Sequence, residues 1–411
     1  MDLQLYLLVL FSIIWASLFF LTSNSKHRKS TKLPPGPYPF PIIGNILQLG
    51  ENPHQSLAKL SQTYGPLMYL KLGYRETIVV SSPELAKAVL QKYDQTFSSR
   101  TVPVTLESVK HGKFSMAFMP VDNQWRKLRR ILKEQMFSLQ RLDASQGIRE
   151  EKLHKLCDYV NQCRVDGRAV DIAEATFTTS LNTISSTLFS VDFADFNSDS
   201  SQEFKDVVWN DLFLGSTDTV PSTVEWAMAE LLRNPKMMSK TKSELSDVIG
   251  EHGVIQESSI SKLPYLQAVV KETHRLHPVA PLLVPHKAEA DVEINGYIIP
   301  KNAQILVNTW ASSRDSNIWS SPDLFMPERF LDHKIDYNGQ DFKFIPFGSG
   351  RRTCPGLPLA HRVVHVMLAT LIHNFNWRLE EGLKPEEIDM SEKFTTTLHK
   401  AIPLKAIPIK F

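Results

Sequence analysis

Apolar positions along this chain fall into distinct regimes. From Leu3 to Leu21 they are nearly continuous, broken by Gln4, Ser12 and Ser17, and such a run approaches the ~20 residues that span a bilayer core. Leu67–Leu72 and Thr77–Ser81 are short alternating or apolar runs on either side of Gly73-Tyr-Arg-Glu76, the pattern of a hairpin. Ser82-Pro83-Glu84 predicts a helix with proline at its first position. From there to about residue 280 apolar residues recur at helical spacing. Val292–Ile299 and Ile305–Val307 read as strands, punctuated by Asn295-Gly296 and Pro300. Leu357, Leu359, Ala360, Val363, Val364, Met367, Leu368 and Leu371 predict a last long helix. The expected fold is mainly α with a minor β region.

Charge refines the N-terminus. Asp2 precedes the apolar run, and Lys26, His27, Arg28, Lys29 and Lys32 follow it, which predicts a cytosolic body. A cleaved signal peptide carries its positive charge before the run and a small-residue cleavage site after it. Residues 1–22 are therefore expected to be an uncleaved transmembrane signal anchor, with a signal peptide as the minor alternative. Leu33-Pro-Pro-Gly-Pro37, Pro39 and Pro41 make 23–41 a basic, proline-rich hinge. Residues 42–411 form the expected catalytic domain. The net charge of +2 over 411 residues argues against nucleic acid as the main partner. Three cysteines, Cys157, Cys163 and Cys354, make no disulfide framework or zinc motif, which fits a reducing compartment.

The chemistry is densest in Phe347-Gly-Ser-Gly350-Arg-Arg352-Thr-Cys354-Pro-Gly356, which sets one cysteine at the start of the last predicted helix. Backbone N–H groups and the dipole there favour an anionic sulfur, so Cys354 is expected to be thiolate-prone. Gly350 and Gly356 allow close approach to something flat. A planar iron macrocycle takes such a thiolate as its axial ligand. A lone cysteine beside a helix is more often a small buried hydrophobe; the accompanying phenylalanine, glycines and arginine argue against that. The segment resembles the haem-binding loop of the cytochrome P-450 superfamily, which makes Cys354 the iron ligand and Phe347, Gly350, Arg352 and Gly356 haem contacts.

Other motifs follow in the same order as in that family. Glu272 and Arg275, in Lys271-Glu-Thr-His-Arg275, share a helix face; alone they read as a weak surface pair. With Arg329 of Pro327-Glu-Arg-Phe330, the resemblance makes them a buried charge cluster bracing the cysteine loop. Trp125-Arg-Lys-Leu-Arg129 reads alone as a basic helix with a core tryptophan. The resemblance makes Trp125, Arg129 and Arg352 propionate ligands and gives His286 a position where related enzymes often carry arginine. Asp211 to Pro221 resembles the oxygen-activation stretch of the long central helix, which assigns a proton relay to Asp218 and Thr219. Ser216 and Val220 depart from that pattern, where glycine and a second hydroxyl are usual.

Between Trp125 and Asp218 the interval is too short for the family: the helices that roof the substrate pocket (F, G and H) are missing, an internal deletion near residue 210. Ser200-Ser-Gln-Glu203 is a capping-box pattern, and Phe204, Val207, Val208, Leu212 and Gly215 keep helical spacing, so one fused helix from about Ser201 to Leu232 is expected. Chance splicing of apolar runs gives the same pattern.

The whole chain resembles plant microsomal P-450 enzymes of terpenoid metabolism, the group of geraniol hydroxylases and abietane-diterpene oxidases such as ferruginol synthase. Pro39-Phe-Pro-Ile-Ile-Gly44, Lys133-Glu-Gln-Met-Phe137 and Thr223-Val-Glu-Trp226 carry that likeness. Apolar pocket candidates are Val279, Ala280, Leu282, Leu283 and Phe114–Phe118. The resemblance implies a haem-thiolate monooxygenase oxidising a mono- or diterpenoid with dioxygen. Electrons come from NADPH through cytochrome P-450 reductase, docked on Arg126, Lys127, Arg130 and Lys133, which read alone as a solvated face. The implied location is the endoplasmic reticulum membrane, single-pass, with the catalytic domain in the cytosol. Two alternatives stand: a catalytically impaired truncated form that is at most a membrane-bound haem-binding protein, and an isomerase or dehydratase on the same fold, against which Asp218 and Thr219 argue.

Overall fold

Leu67–Leu72 and Arg75–Val80 pair as an antiparallel hairpin, Leu67 opposite Val80, with Gly73 in the left-handed region (φ 61) at its turn. The structure is a computed structural model that describes residues 3–23, 32–103, 115–196, 215, 217–251, 253–331, 335–380, 382–395 and 397–410. Its chain divides into two units, 1–101 with 285–308 and 102–284 with 309–411.

In the first unit the hairpin's second strand runs parallel to Gln304–Val307, and His286–Lys287 and Ser99–Arg100 complete a five-stranded sheet. Ser82 caps Pro83–Lys87 by accepting the Leu85 N–H at 3.4 Å. The predicted strand Val292–Ile299 is a hairpin of two short strands. Asn295 (φ 51) and Gly296 (φ 76) reverse the chain between them, as a type I′ turn requires. Leu3–Ser23 is one helix of 21 residues. Among the described residues no helix is long and apolar enough to cross a membrane. The expected transmembrane span therefore draws no support from the fold. The basic residues Lys26 to Lys29 lie outside the described residues.

Helices dominate the second unit: Gln146–Asp166, Ile172–Phe189, Thr219–Arg233, Pro235–Ile249, Pro264–Leu276 and Leu357–Asn374. Val224, Ala227, Met228 and Leu231 of the Thr219 helix share one core with Val269 and with Leu368, Leu371 and Ile372 of the last helix. Each large side chain buried there contributes about 1.5–3 kcal/mol. The last helix buries Val363, Val364, Met367, Leu368 and Leu371 as its pattern predicts, and also His365, Thr370 and His373, which the pattern did not. Two small sheets flank the helices: Lys405–Ile409 between Val170–Asp171 and Asn376–Arg378, and the hairpin Glu392–Phe394 with Leu398–Lys400. The first half of the expected fused helix, residues 201–214, lies outside the described residues; the described helix runs from Thr219 to Arg233.

Candidate active site

The Cys354 N–H donates to the Phe347 carbonyl at 2.9 Å, closing the loop onto itself before the Leu357–Asn374 helix begins. Gly350 holds φ 68, a conformation a side chain would strain. Gly356 has an ordinary φ of −81, and a Cβ there would stand 3.8 Å from the Cys354 sulfur. Its role is thus to keep the space beside the sulfur open, not to permit a special turn. The Cys354 side chain is exposed. From the protein groups alone, burial pushes the thiol up, against the smaller pull of the Gly356 and Leu357 N–H groups and the Arg129 charge; a coordinating metal ion would act in the opposite direction.

Asp122 accepts the Trp125 N–H at 2.8 Å and starts the helix Asn123–Ile131. That helix brings Arg129 and Trp125 to Arg352, whose guanidinium lies 4.9 Å from the indole centroid. The Trp125 indole N–H and one Arg352 nitrogen both donate to the Met116 carbonyl, each at 3.1 Å, and Arg352 also donates to the Met119 carbonyl at 2.5 Å. Burial, then repulsion from Arg129, pushes Arg352 down to about 10. Burial also lowers Arg129, whose one raising influence is Cys354. His286 belongs to the first unit, where its Nδ1 meets the Phe97 carbonyl at 2.6 Å.

Glu272 and Arg275 are fully buried, and two parallel bonds of 2.7 and 2.8 Å join them. Arg329 Nε donates to the same carboxylate at 3.0 Å, and the Met326 N–H donates to it at 2.7 Å. Arg275 also donates to the carbonyls of Ser313, Pro322 and Leu324, and Arg329 to that of Ser320. The cluster thus clamps the 313–329 segment onto the Pro264–Leu276 helix. These bonds end outside the cysteine loop, so any bracing of Cys354 passes through that segment.

Asp218 precedes the Thr219 helix. Its carboxylate accepts a hydrogen bond from the Thr397 hydroxyl and lies 3.3 Å from His399 Nε2. The single hydroxyl proton of Thr397 goes to Asp218, so His399 Nε2–H donates to Thr397 Oγ1 at 2.6 Å. The Thr219 hydroxyl turns to its own helix, donating to the Gly215 carbonyl at 2.8 Å. Asp218 and Thr219 are neighbours but are not hydrogen-bonded to each other. Leu398, between Thr397 and His399, donates its N–H to the Val279 carbonyl and accepts from the Ser222 hydroxyl, both at 2.9 Å. The hairpin thus joins the Asp218 end of the helix to the apolar Val279–Leu283 stretch, and the Leu283 side chain lies 4.0 Å from a Cβ built at Gly348. Sequence reasoning missed Thr397 and His399; no local motif marks them. A separate cleft of about 660 Å³, lined by Leu231, Met238, Lys242, Trp377 and Leu383, opens at the other end of the Thr219 helix.

Comparison with known proteins decides the family. The profile of one family, Cytochrome P450, matches residues 34–212 and 209–404. This chain belongs to the cytochrome P450 family. Its relatives include "Cytochrome P450 76T24" of Catharanthus roseus, 50% identical over 498 positions covering all of both chains. "Ferruginol synthase" of Salvia miltiorrhiza is 42% identical over 96% of this chain and 98% of its own, and "Geraniol 8-hydroxylase" of Catharanthus roseus 41% over 98% and 99%. A solved zebrafish cytochrome P450 with abiraterone shares the fold, with TM-score 0.76 and 24% identity over 88% of this chain and 100% of that one. The P450 is a monooxygenase, as its family is, and haem is the cofactor that membership implies.

The residues present fit that group. A soft sulfur faces open space at a helix start. Beside it stand two partly buried guanidiniums that repel each other, and among the described residues Arg129 has no ion-pair partner. Carboxylates such as the haem propionates would relieve that repulsion.

Proposed function

We propose that this P450 inserts one atom of dioxygen into an apolar mono- or diterpenoid, drawing electrons from NADPH through cytochrome P450 reductase. In the same reading its N-terminal helix anchors it in the endoplasmic reticulum membrane, single-pass, with the catalytic residues on the cytosolic side. The observation that carries the proposal is the exposed Cys354 beside the Arg129–Arg352 pair, in a chain whose relatives carry the names ferruginol synthase and geraniol 8-hydroxylase. Haem bound there supplies an iron that activates dioxygen. Cys354 would ligate it, and Arg129, Arg352 and Trp125 would hold its propionates. Val279 and Leu282 are buried, and with the part-buried Leu283 they make an apolar stretch that suits a hydrocarbon-like substrate. Asp218 receives protons along the His399–Thr397 chain, and the part-exposed His399 ring opens that chain to solvent.

A second reading has its own support. Against the 50%-identical relative the comparison spans 498 positions, 87 more than the 411 residues of this chain. The family match likewise breaks into two stretches that meet at 209–212. We infer an internal deletion there, which removes pocket roof and makes this form a poorly coupled or inactive haem protein.

The reduced carbon monoxide spectrum tests the ligand: a Soret band at the thiolate position is expected, and Cys354→Ala abolishes it. A band that survives the substitution overturns the assignment. Turnover of geraniol and an abietane diterpene with reductase and NADPH then separates the two readings. Oxygenated product supports the first; peroxide alone supports the second.

A further inference from the structure

Behind the cysteine loop lies a polar group that the oxygenation chemistry does not use. Tyr337 is buried, and its hydroxyl is hydrogen-bonded to His361 Nδ1. Its ring lies 5.4 Å, centroid to centroid, from Phe347, whose carbonyl holds the Cys354 N–H. On its other side aromatic rings continue inward: Phe344 at 6.2 Å, then Phe330 at 5.1 Å, then the buried Trp319 at 5.7 Å. His361 is only partly buried; its ring packs 4.3 Å from that of His365, which donates Nδ1–H to the His361 carbonyl at 2.5 Å.

Each feature suits oxidation of the phenol. A phenol loses an electron easily only if its proton can leave at the same time. Burial pushes the Tyr337 phenol up, which closes the phenolate route. Burial lowers His361 from the ordinary histidine value, and with the Tyr337 O–H donating to it Nδ1 is the accepting nitrogen. The Lys271 ammonium, 5.8 Å from the Tyr337 ring, opposes oxidation, and Asp336 at 3.5 Å offsets that charge.

We propose that Tyr337, with His361 as its proton acceptor, is a redox site that takes oxidising equivalents from the haem site when no substrate accepts them. The inference rests on the haem-thiolate reading above. The O–H bond of Tyr337 breaks. Its proton passes to His361 Nδ1, and one electron passes by way of the Phe347 contact to a haem site already oxidised by dioxygen and reductant, or by a peracid. A small-molecule thiol returns the electron and the proton. Such an outlet matters most in a P450 whose substrate pocket is open.

The full-length chain is loaded with hemin, and the thiolate band in the reduced carbon monoxide spectrum is recorded first. Absence of that band overturns both proposals together. With the band present, the ferric protein is mixed with a peracid, freeze-quenched and read by EPR. A tyrosyl-type radical is expected, narrowed by ring-deuterated tyrosine and at least tenfold weaker in Tyr337→Phe. No protein radical, or one of equal yield in Tyr337→Phe, overturns this proposal and leaves the haem reading intact. Should Tyr337→Phe lose the thiolate band, His361→Gln decides: a radical several-fold weaker with the band retained supports the proton-acceptor role, and an unchanged one overturns it.

Discussion

Glu272 and Asp218 are both carboxylates at the edge of the P450 site, yet their surroundings differ in kind. Glu272 is fully buried and meets two guanidiniums and a backbone N–H, and the guanidiniums meet five backbone carbonyls. Every charge there is compensated by groups that cannot leave, so the cluster holds shape and moves no protons. Asp218 is part-exposed and meets one hydroxyl and one imidazole, both on a hairpin. Its partners each donate one proton and can exchange it, so this cluster is suited to transfer and poorly suited to bracing. The difference follows from guanidinium chemistry, which offers several fixed donors and no acceptor, against hydroxyl and imidazole chemistry, which offers both.

The largest effect should come from breaking the braced cluster. Glu272→Gln leaves two buried guanidiniums short of their counter-charge, and a loss of about 3–5 kcal/mol is expected. Denaturant unfolding of the haem-loaded protein measures it. A loss below about 1 kcal/mol would place Glu272 with surface ion pairs and erase the contrast.

Glu225 sharpens the comparison, because it is a buried carboxylate that accepts the Leu404 N–H at 2.8 Å and, among the described residues, meets no guanidinium clamp. Burial pushes it up to about 7 from 4.5. The folded protein therefore binds a proton that the unfolded chain releases between those values, and stability falls as pH rises from about 4.5 to 7. Glu225→Gln should leave stability unchanged near pH 4.5 and raise it above pH 7 by on the order of 3 kcal/mol. Thermal melts of both proteins across that window check it. An equal effect at both ends would show that volume or hydrogen bonding, not charge, governs the site.

The two clusters were also unequally legible. Glu272 and Arg275 lie three residues apart on one helix, and the cysteine loop is a local turn at a helix start, so both are contiguous motifs that a resemblance can mark, though spacing alone left the pair on the surface. Asp218 meets Thr397 across 179 residues; a hairpin supplies Thr397 and His399 without a motif, and only tertiary folding brings them in. The donors of Trp125 and Arg352 were found by type, but their partner, the Met116 carbonyl, is a backbone atom that no side-chain pattern announces. The Asn295-Gly296 turn was visible as punctuation, and its dihedral angles divide the expected strand in two. At Cys354 the sequence shows the favourable helix start and hides the burial that works against it.

The smallest predicted effect tests the comparison most directly. A double-mutant cycle on Asp218→Asn and His399→Ala should give a coupling of about 1 kcal/mol or less, since both side chains are partly exposed, at 29% and 28%. The same cycle on Glu272→Gln and Arg275→Met should give a coupling of up to about 3 kcal/mol, because each single change strands a buried partner that the double change removes. Rapid-mixing measurements should move the other way. His399→Ala is expected to slow substrate oxidation by tenfold or more, within the range typical of proton-transfer groups, while leaving the thiolate band intact. A coupling above about 2 kcal/mol between Asp218 and His399, with oxidation unchanged, would make their cluster a second brace.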